Sequence, residues 1–310
     1  MSALDAPVAE KDVPSEVGWR TAVVANPARV ADLSRRRQMI EEVLADAGWP
    51  APSWSETTPE DPGTGQARRA VAAGARVVFA CGGDGTVRAV IAGMLDADAA
   101  LAVLPAGTGN LLAANLNLPE DPAQVVRLVI AGERRRLDLG QVDGQVFAVM
   151  AGMGFDAAMM DDASDTLKAR FGPVAYVFSA LRHLRDRPMR LEIDIDDRPT
   201  VRCRARSVLV GNVGTLQGGV RLLPNAEPDS GSMEVAILQP HHLGHWLGLA
   251  AAVVLRRRTV PRMTTWRGSR INVRSDRTHP RQLDGDVIEP SDTLSVSVIP
   301  GGIAVCVPPA

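Results

Sequence analysis

The sequence predicts two folded regions of different class: an amino-terminal α/β region on a largely parallel sheet, and a carboxyl-terminal region that is mainly antiparallel β. Three observations predict this. The chain has 310 residues, about twice a typical domain. From Thr21 to Leu139 short apolar runs alternate with stretches of helical periodicity, the pattern of successive βα units. After about residue 140 the pattern changes to strand candidates joined by tight turns. The expected divisions are a flexible tail over 1–17, the α/β region over 18–140 and the β-rich region over 141–310.

Taken in order, TAVVAN (21–26) is the first strand, and Leu33, Ile40, Val43, Leu44 and Ala47 form a helix stripe stopped by Gly48. A helix through Ala67–Ala73 leads to the strand RVVFA (76–80), the turn CGGDGT and a helix through Val87–Leu95. The order repeats as LAVL, PAGTGN and the segment after Asn110. Two glycine turns therefore leave the carboxyl ends of strands, where open α/β sheets bind ligands. The β-rich half offers QVDGQVFAVMA, RLEIDIDDRPTVRCRARSVLVGN, SMEVAIL, RINVRS and TLSVSVIPGGIAVCV, interrupted by helical stretches near 164–187 and 241–258.

Composition narrows the function classes. Hydrophobic residues at 45% and charged residues at 23% suit an ordinary globular chain with a core. Basic and acidic residues, 34 against 36, leave a net charge of −2, so no global field favours nucleic acid as a partner. Lys11 and Lys168 are the only lysines. A Walker A loop is absent, and only Lys168 is a folded-region candidate for Schiff-base chemistry. Cys81, Cys203 and Cys306 show no paired spacing, which suits a reducing, cytoplasmic compartment and argues against a disulfide framework or a cysteine zinc site. Residues 1–17 carry four acidic side chains and no apolar h-region, so they read as a tail and not a signal peptide. The longest clean apolar run, Leu243–Leu255, falls short of the roughly 20 residues a spanning helix needs, and no transmembrane segment is expected.

Gly82, Gly83, Asp84, Gly85 and Thr86 lie where a strand hands over to a helix, so backbone N–H groups can approach an oxyanion. Asp84 repels bare phosphate, which makes sense with a divalent cation between them; the alternative is a tight turn with Asp84 as a cap. Gly107, Thr108, Gly109 and Asn110 repeat the arrangement one strand later, which implies two loops closing on one nucleotide.

With Asn26 and Pro27 after the first strand, these turns make the chain resemble the diacylglycerol kinase and sphingosine kinase family of lipid kinases, in its bacterial diacylglycerol kinase-like form. The resemblance runs from Thr21 over nearly the whole chain, through AGMGFDA (151–157), VGNVGTLQGGVRLLPNAEPDSG (210–231) and QLDGD (282–286). GGDGT is shared with NAD kinases, while the later motifs are specific to the lipid kinases. The resemblance implies a nucleotide-binding domain, a β-sandwich-like acceptor domain, and Mg²⁺-dependent transfer from ATP to a lipid hydroxyl in the cleft between them. Diacylglycerol, giving phosphatidic acid, is the first expected acceptor. Carried over by position, Asn26, Gly82, Gly83, Asp84, Gly85, Thr86, Gly107, Thr108, Gly109 and Asn110 would contact nucleotide. Asp84 would support its metal, Asp284 would be the general base with Asp286 in support, and Asp229 would belong to a metal-linked loop.

Elementary chemistry is compatible, because phosphoryl transfer needs positioning and charge stabilisation more than covalent help. A lipid hydroxyl is a weak acid, so a carboxylate would take its proton as the new bond forms. Asp-Gly is also a strong hairpin signal, the reading given to Asp143–Gly144, and for Asp284 that turn-only reading stays open. Two departures from the family pattern stand out: Arg88 and Ala89 follow GGDGT where Asn and Glu are usual, and DGE appears as DGD. An NAD kinase-like enzyme, or a nucleotide- or lipid-binding regulator without catalysis, are the rival readings. The expected partner is a lipid at the membrane surface, with the protein peripheral on the inner face; the oligomeric state stays open, a homodimer included.

Other signals have plainer readings. His241, His242 and His245 mark an exposed helix start more than a metal site. The apolar segment around Trp246, followed by Arg256, Arg257 and Arg258, packs in a core or rests on an anionic membrane. Asp161, Asp162 and Asp165 precede a helical pattern, and the runs Arg35–Arg37 and Arg134–Arg136 read as solvated faces.

Overall fold

The computed structural model describes residues 10–11, 18–154, 187–216, 220–239 and 263–309. The expected helical stretches near 164–187, except residue 187 itself, and 241–258, with Lys168, the three aspartates, the three histidines and the arginine run at 256–258, lie outside the described residues. The described chain falls into two compact units, Met1–Leu137 with Gly301–Ala310, and Asp138–Pro300.

In the first unit the element order is β1 (Glu10–Lys11), β2 (Thr21–Ala25), α1 (Leu33–Asp46), β3 (Ser53–Glu56), α2 (Thr64–Ala72), β4 (Val77–Gly82), α3 (Asp84–Gly93), β5 (Ala100–Pro105), α4 (Leu111–Asn115) and α5 (Pro122–Ala131). Neighbouring strands run β3-β2-β4-β5, all parallel. Every residue of β2, β4 and β5 is buried, as parallel strands covered on both faces require. Ile40 and Leu44 of α1 and Val125, Val126 and Val129 of α5 pack with Val23, Phe79, Ala102 and Leu104 on one face. Helix α5 starts on Asp121, which accepts the Ala123 N–H at 3.1 Å ahead of Pro122, and stops at Gly132 with φ 80°.

Within the segment expected to be a flexible tail, Glu10 and Lys11 pair antiparallel with Arg134 and Glu133. Nor is the run Arg134–Arg136 a solvated face throughout. Arg134 is 8% exposed and lies over the Trp19 ring at 3.7 Å, and Trp19 meets Trp49 edge-on at 5.8 Å. The face of Trp19 covers the guanidinium in a way its neighbours in sequence do not reveal.

The second unit takes in the last part of β6 (Glu133–Val142), then β7 (Gln145–Phe147), β8 (Met150–Gly154), β9 (Met189–Ile195), β10 (Val201–Ala205), β11 (Ser207–Gly211), β12 (Thr215–Leu216), β13 (Val220–Arg221), β14 (Met233–Leu238), β15 (Met263–Gly268), β16 (Arg270–Leu283) and most of β17 (Asp286–Cys306). Its pairings are antiparallel: β15-β14-β11-β8-β16, with β16 also pairing β9 and β17, and β9 pairing β10. Alternate residues point inward, as in Met189, Leu191, Ile193 and Ile195, and meet Val208, Val210, Val235, Ile237, Ile271, Val273, Leu294 and Val296 in one core. An α/β region followed by a mostly antiparallel β region is therefore the fold, as the sequence pattern predicts.

The expected β-rich region runs through residue 310, and within it residues 301–310 pack with the first compact unit. Past Pro300 and Gly301, the end of β17 pairs in parallel with β5, Ala304 opposite Ala100 and Val305 opposite Leu101. The buried side chains of Ile303, Val305 and Cys306 are what hold it there.

Candidate active site

The chain passes from β2 outward to β3 and then crosses to β4 on the other side of β2, so the switch in strand order falls between β2 and β4. The carboxyl ends of strands at such a switch form the ligand crevice of open α/β sheets. Here they carry Asn26 and the turn Gly82–Thr86, with the turn Gly107–Asn110 at the end of the next strand. Register aligns the three: Ala25 lies opposite Cys81, and Gly82 opposite Pro105. Asn26 donates from its backbone to Cys81 O at 2.9 Å and from Nδ2 to Thr86 Oγ1 at 3.2 Å, while its Oδ1 accepts the Ala28 N–H at 3.0 Å.

The two glycine turns interlock. A Cβ on Gly107 would stand 2.7 Å from the Gly83 Cα, one on Gly82 would stand 2.5 Å from Thr86 Oγ1, and one on Gly109 would overlap Asp84 Oδ2. Glycine is needed here because the loops pack on each other, a constraint separate from the open approach to an anion that the sequence suggests. Asp84 opens α3 and also accepts the N–H of Leu111, the first residue of α4, at 2.6 Å. Asp84 thus does not cap its own turn, whose N-cap is Gly83 with no side-chain bond, but holds the start of α4 across 27 residues of sequence. Asn110, at φ 46°, closes its own turn through Gly107 N–H at 3.0 Å and Gly107 O at 2.8 Å, and Thr108 is exposed beside it.

Arg36 is the residue that sequence reasoning misses in this half. Its Nη1 donates to Pro105 O at 3.3 Å and reaches Cys81 Sγ at 3.6 Å, which sets a guanidinium at the carboxyl edge of β4 and β5. Burial pushes the Cys81 thiol up, and the Arg36 charge and hydrogen bond partly oppose this. The run Arg35–Arg37 is therefore no uniform solvated face. Arg36 sits four residues before Ile40 on the buried stripe of α1, a spacing that separates it from exposed Arg35.

In the second unit, β16 and β17 join through a two-residue turn at Asp284 (φ 49°) and Gly285 (φ 93°), with Leu283 opposite Asp286. Asp284 is 5% exposed. Its Oδ1 accepts the N–H groups of Val149 and Met150, and its Oδ2 that of Ala148, each at 2.9 Å; its own N–H donates to Met150 O at 2.8 Å. Three charge-assisted bonds of this kind compensate a buried carboxylate. Asp143–Gly144 has the same backbone, with φ 49° and 80°, but Asp143 keeps an exposed side chain and pairs with buried Arg281 at 2.7 Å. Asp286, exposed at the start of β17, is not part of the buried Asp284 cradle.

The PDSG loop is held by a residue that the motif reading passes over. Asp138 is 2% exposed, accepts the Gly231 N–H at 2.6 Å and donates its own N–H to Pro228 O at 2.7 Å. Asn212 Nδ2 then donates to Asp138 O at 2.6 Å and to Ala148 O at 3.3 Å, so Asp138, Asn212, Ala148 and Asp284 form one hydrogen-bonded chain. The signal was an acid flanked by Leu137 and Leu139 in the buried stretch of β6. Asp229 is half-buried in the loop so held. Among the described residues no group of three or more His, Cys, Asp or Glu side chains is placed to hold a metal ion. A Mg²⁺ bound with nucleotide phosphates needs only one or two carboxylates, which Asp84 can supply.

Comparison with known proteins divides the chain near residue 140 and carries the second family through residue 307. The family model "Diacylglycerol kinase catalytic domain" matches residues 20–142, and "YegS C-terminal NAD kinase beta sandwich-like domain" matches residues 148–307. The chain is 28% identical to a diacylglycerol kinase of Bacillus subtilis, over 74% of this chain and 77% of that protein. It is 31% identical to a probable lipid kinase YegS-like protein of Pseudomonas fluorescens, over 78% and 80%. Among solved structures, a putative diacylglycerol kinase from Bacillus anthracis superposes with a TM-score of 0.78 at 20% identity, over 94% of this chain and 97% of that one. An NAD kinase from Archaeoglobus fulgidus in complex with ATP gives 0.53 at 12% identity, over 92% and 93%. At these identities the structural likenesses establish the shared fold.

Proposed function

The chain belongs to the diacylglycerol kinase catalytic domain family of lipid kinases, with a YegS-type carboxyl-terminal domain, and from that premise we propose that it transfers the γ-phosphoryl group of ATP to the hydroxyl of diacylglycerol, yielding phosphatidic acid. The observation that carries the nucleotide half is the junction of Asn26 with the GGDGT turn at the strand-order switch, interlocked with GTGN. The first N–H groups of the ten-residue helix α3 lack intrahelical partners and suit a phosphate oxyanion. A Mg²⁺ ion, when bound, would neutralise phosphate charge, with Asp84 as its protein ligand.

For the acceptor half, Asp284 supplies the base. As the acceptor oxygen bonds to the γ-phosphorus, the bond from that phosphorus to the bridging oxygen of ADP breaks, and the hydroxyl proton passes to the Asp284 carboxylate and then to solvent. The donors from Ala148, Val149 and Met150 keep that carboxylate fixed in place. Asp229 and Asp286 support the acceptor region in this reading. Working on a lipid, the protein would act peripherally at the inner membrane face; no helix among the described residues is long and apolar enough to cross a membrane.

The test is transfer of labelled phosphate from MgATP to lipid in mixed micelles, with phosphatidic acid as the expected product. A wild-type protein inert toward diacylglycerol, sphingoid bases, ceramide and polyprenols would overturn the reading. The glycine-rich turn shared with NAD kinases makes NAD the acceptor to run in parallel. Tight ATP binding with no turnover on any acceptor would instead point to a regulator, the reading that Arg88 and Ala89 motivate.

A further inference from the structure

The outer face of β10-β9-β16 carries charge sorted along the strand direction. Arg204 lies directly opposite Arg190, Arg202 opposite Glu192, and Glu192 opposite Arg274. At the far end the face turns acidic, with Asp194, Asp196 and Asp197. Arg202–Glu192 and Arg274–Asp194 are ion pairs at 2.9 Å, but Arg190 and Arg204 have no carboxylate within salt-bridge distance among the described residues. Arg277 and Arg187 join them, Arg277 Nη2 donating to Arg187 O. Asp276, whose Oδ1 accepts the Arg190 N–H at 3.1 Å, is the carboxylate beside them, held below its usual range first by that bond. Burial and the Arg277 charge push His279 down, so it adds no positive charge at neutral pH.

Like charges directly opposite on antiparallel strands destabilise a sheet. Arg190 and Arg204 are both exposed and do nothing for the core, whose inward positions are Met189, Leu191 and Ala205. With Arg202 and Arg274 paired to Glu192 and Asp194, the end of the face beyond them gathers Arg187, Arg190, Arg204 and Arg277 around one carboxylate, Asp276, in a chain of net charge −2. This array has no Trp, Tyr or Phe at its outward strand positions, so it lacks the stacking platforms that hold a nucleic-acid strand. Guanidinium groups spread over a plane match a plane of phosphates.

We propose that this arginine face docks on the headgroups of an anionic lipid bilayer. It rests on the lipid-acceptor reading and adds the surface that brings the protein to its substrate. Binding by this face is electrostatic, so it fades between about 0.1 M and about 1 M salt as the Debye length falls from ~10 Å to ~3 Å.

The test is co-sedimentation of the full chain with phosphatidylcholine vesicles, with and without one-third phosphatidylglycerol. The wild type is expected to bind only the anionic vesicles. The double variant R190Q/R204Q is expected to bind them roughly thirtyfold more weakly, with an unchanged or higher melting temperature. R20Q/R68Q, which removes equal charge from exposed positions in the first unit, is expected to bind as wild type. Equal binding to neutral and anionic vesicles, or undiminished binding by R190Q/R204Q, overturns the proposal. So does a variant that loses oligonucleotide binding while keeping vesicle binding. Transfer to diacylglycerol in uncharged detergent micelles separates the two readings. An active enzyme indifferent to anionic vesicles sinks the docking face alone, and an inert one that still needs Arg190 and Arg204 for vesicle binding sinks the kinase reading alone.

Discussion

Asp143 and Asp284 occupy the same left-handed turn position, yet one carboxylate faces a guanidinium and the other faces three backbone amides. The Asp-Gly pairs were legible as turns from sequence alone. The difference between them was not, because the partners of Asp284 lie some 135 residues away. Asp284→Asn puts an amide NH₂ against N–H donors that require an acceptor. It should abolish phosphoryl transfer in the micelle assay while ATP binding, read by calorimetry, stays near wild type. Asp143→Asn should leave turnover within a few fold. Gly107→Ala should act on the other half: its methyl cannot fit 2.7 Å from the Gly83 backbone, so the two turns must part. Overpacking of this kind costs about 1–3 kcal/mol, and both the melting temperature and ATP affinity should fall. Arg36 and Asp138 escaped the motif reading for the reason that hid Asp284's partners: their roles are set by contacts across the fold.

Among elements, those with an apolar period were readable and those without it were not. β2, β4 and β5 are continuous apolar runs, and α1 shows its stripe. β3 reads SWSE, half-exposed at a sheet edge, and β15 reads MTTWRG, so neither announces itself. Helix α3 begins at Asp84, inside the glycine turn and ahead of its first apolar residue. The end of β17 carries a testable consequence. Burial pushes the Cys306 thiol up to about 12 from an ordinary 9.0. The fold favours the protonated form, so this contribution to stability is complete below about pH 9 and is lost progressively as pH rises toward the folded value. Melting temperatures between pH 9 and 11 should decline for the wild type by more than for Cys306→Ala, with a slope difference of about 1.4 kcal/mol per pH unit at most. Parallel slopes would rule out the thiol as the source.

On the scale of the whole molecule, the succession of a βα region and a β-rich region could be read directly, because hydrophobic period distinguishes the two styles. The return of residues 301–309 to the first unit could not, since TLSVSVIPGGIAVCV reads as one unbroken strand and only Pro300, Gly301 and Gly302 punctuate it. Deleting residues 301–310 removes the buried Ile303, Val305 and Cys306 and strips β5 of a parallel neighbour. That deletion should leave the first unit unable to reach its folded state, detected as loss of cooperative melting and of ATP binding. Adding the same peptide as a synthetic strand should restore part of the binding.

Such a closing strand also fixes an order of events during synthesis. The stretch 138–300 is continuous in sequence and is made before the residues that finish the region preceding it. On the ribosome the earlier-made half must therefore wait, holding an uncapped sheet edge open until residues 301–309 emerge, while the later-made half can settle first. Chaperone protection during that interval, and sensitivity to stop codons placed within residues 301–306, follow from where one strand pairs.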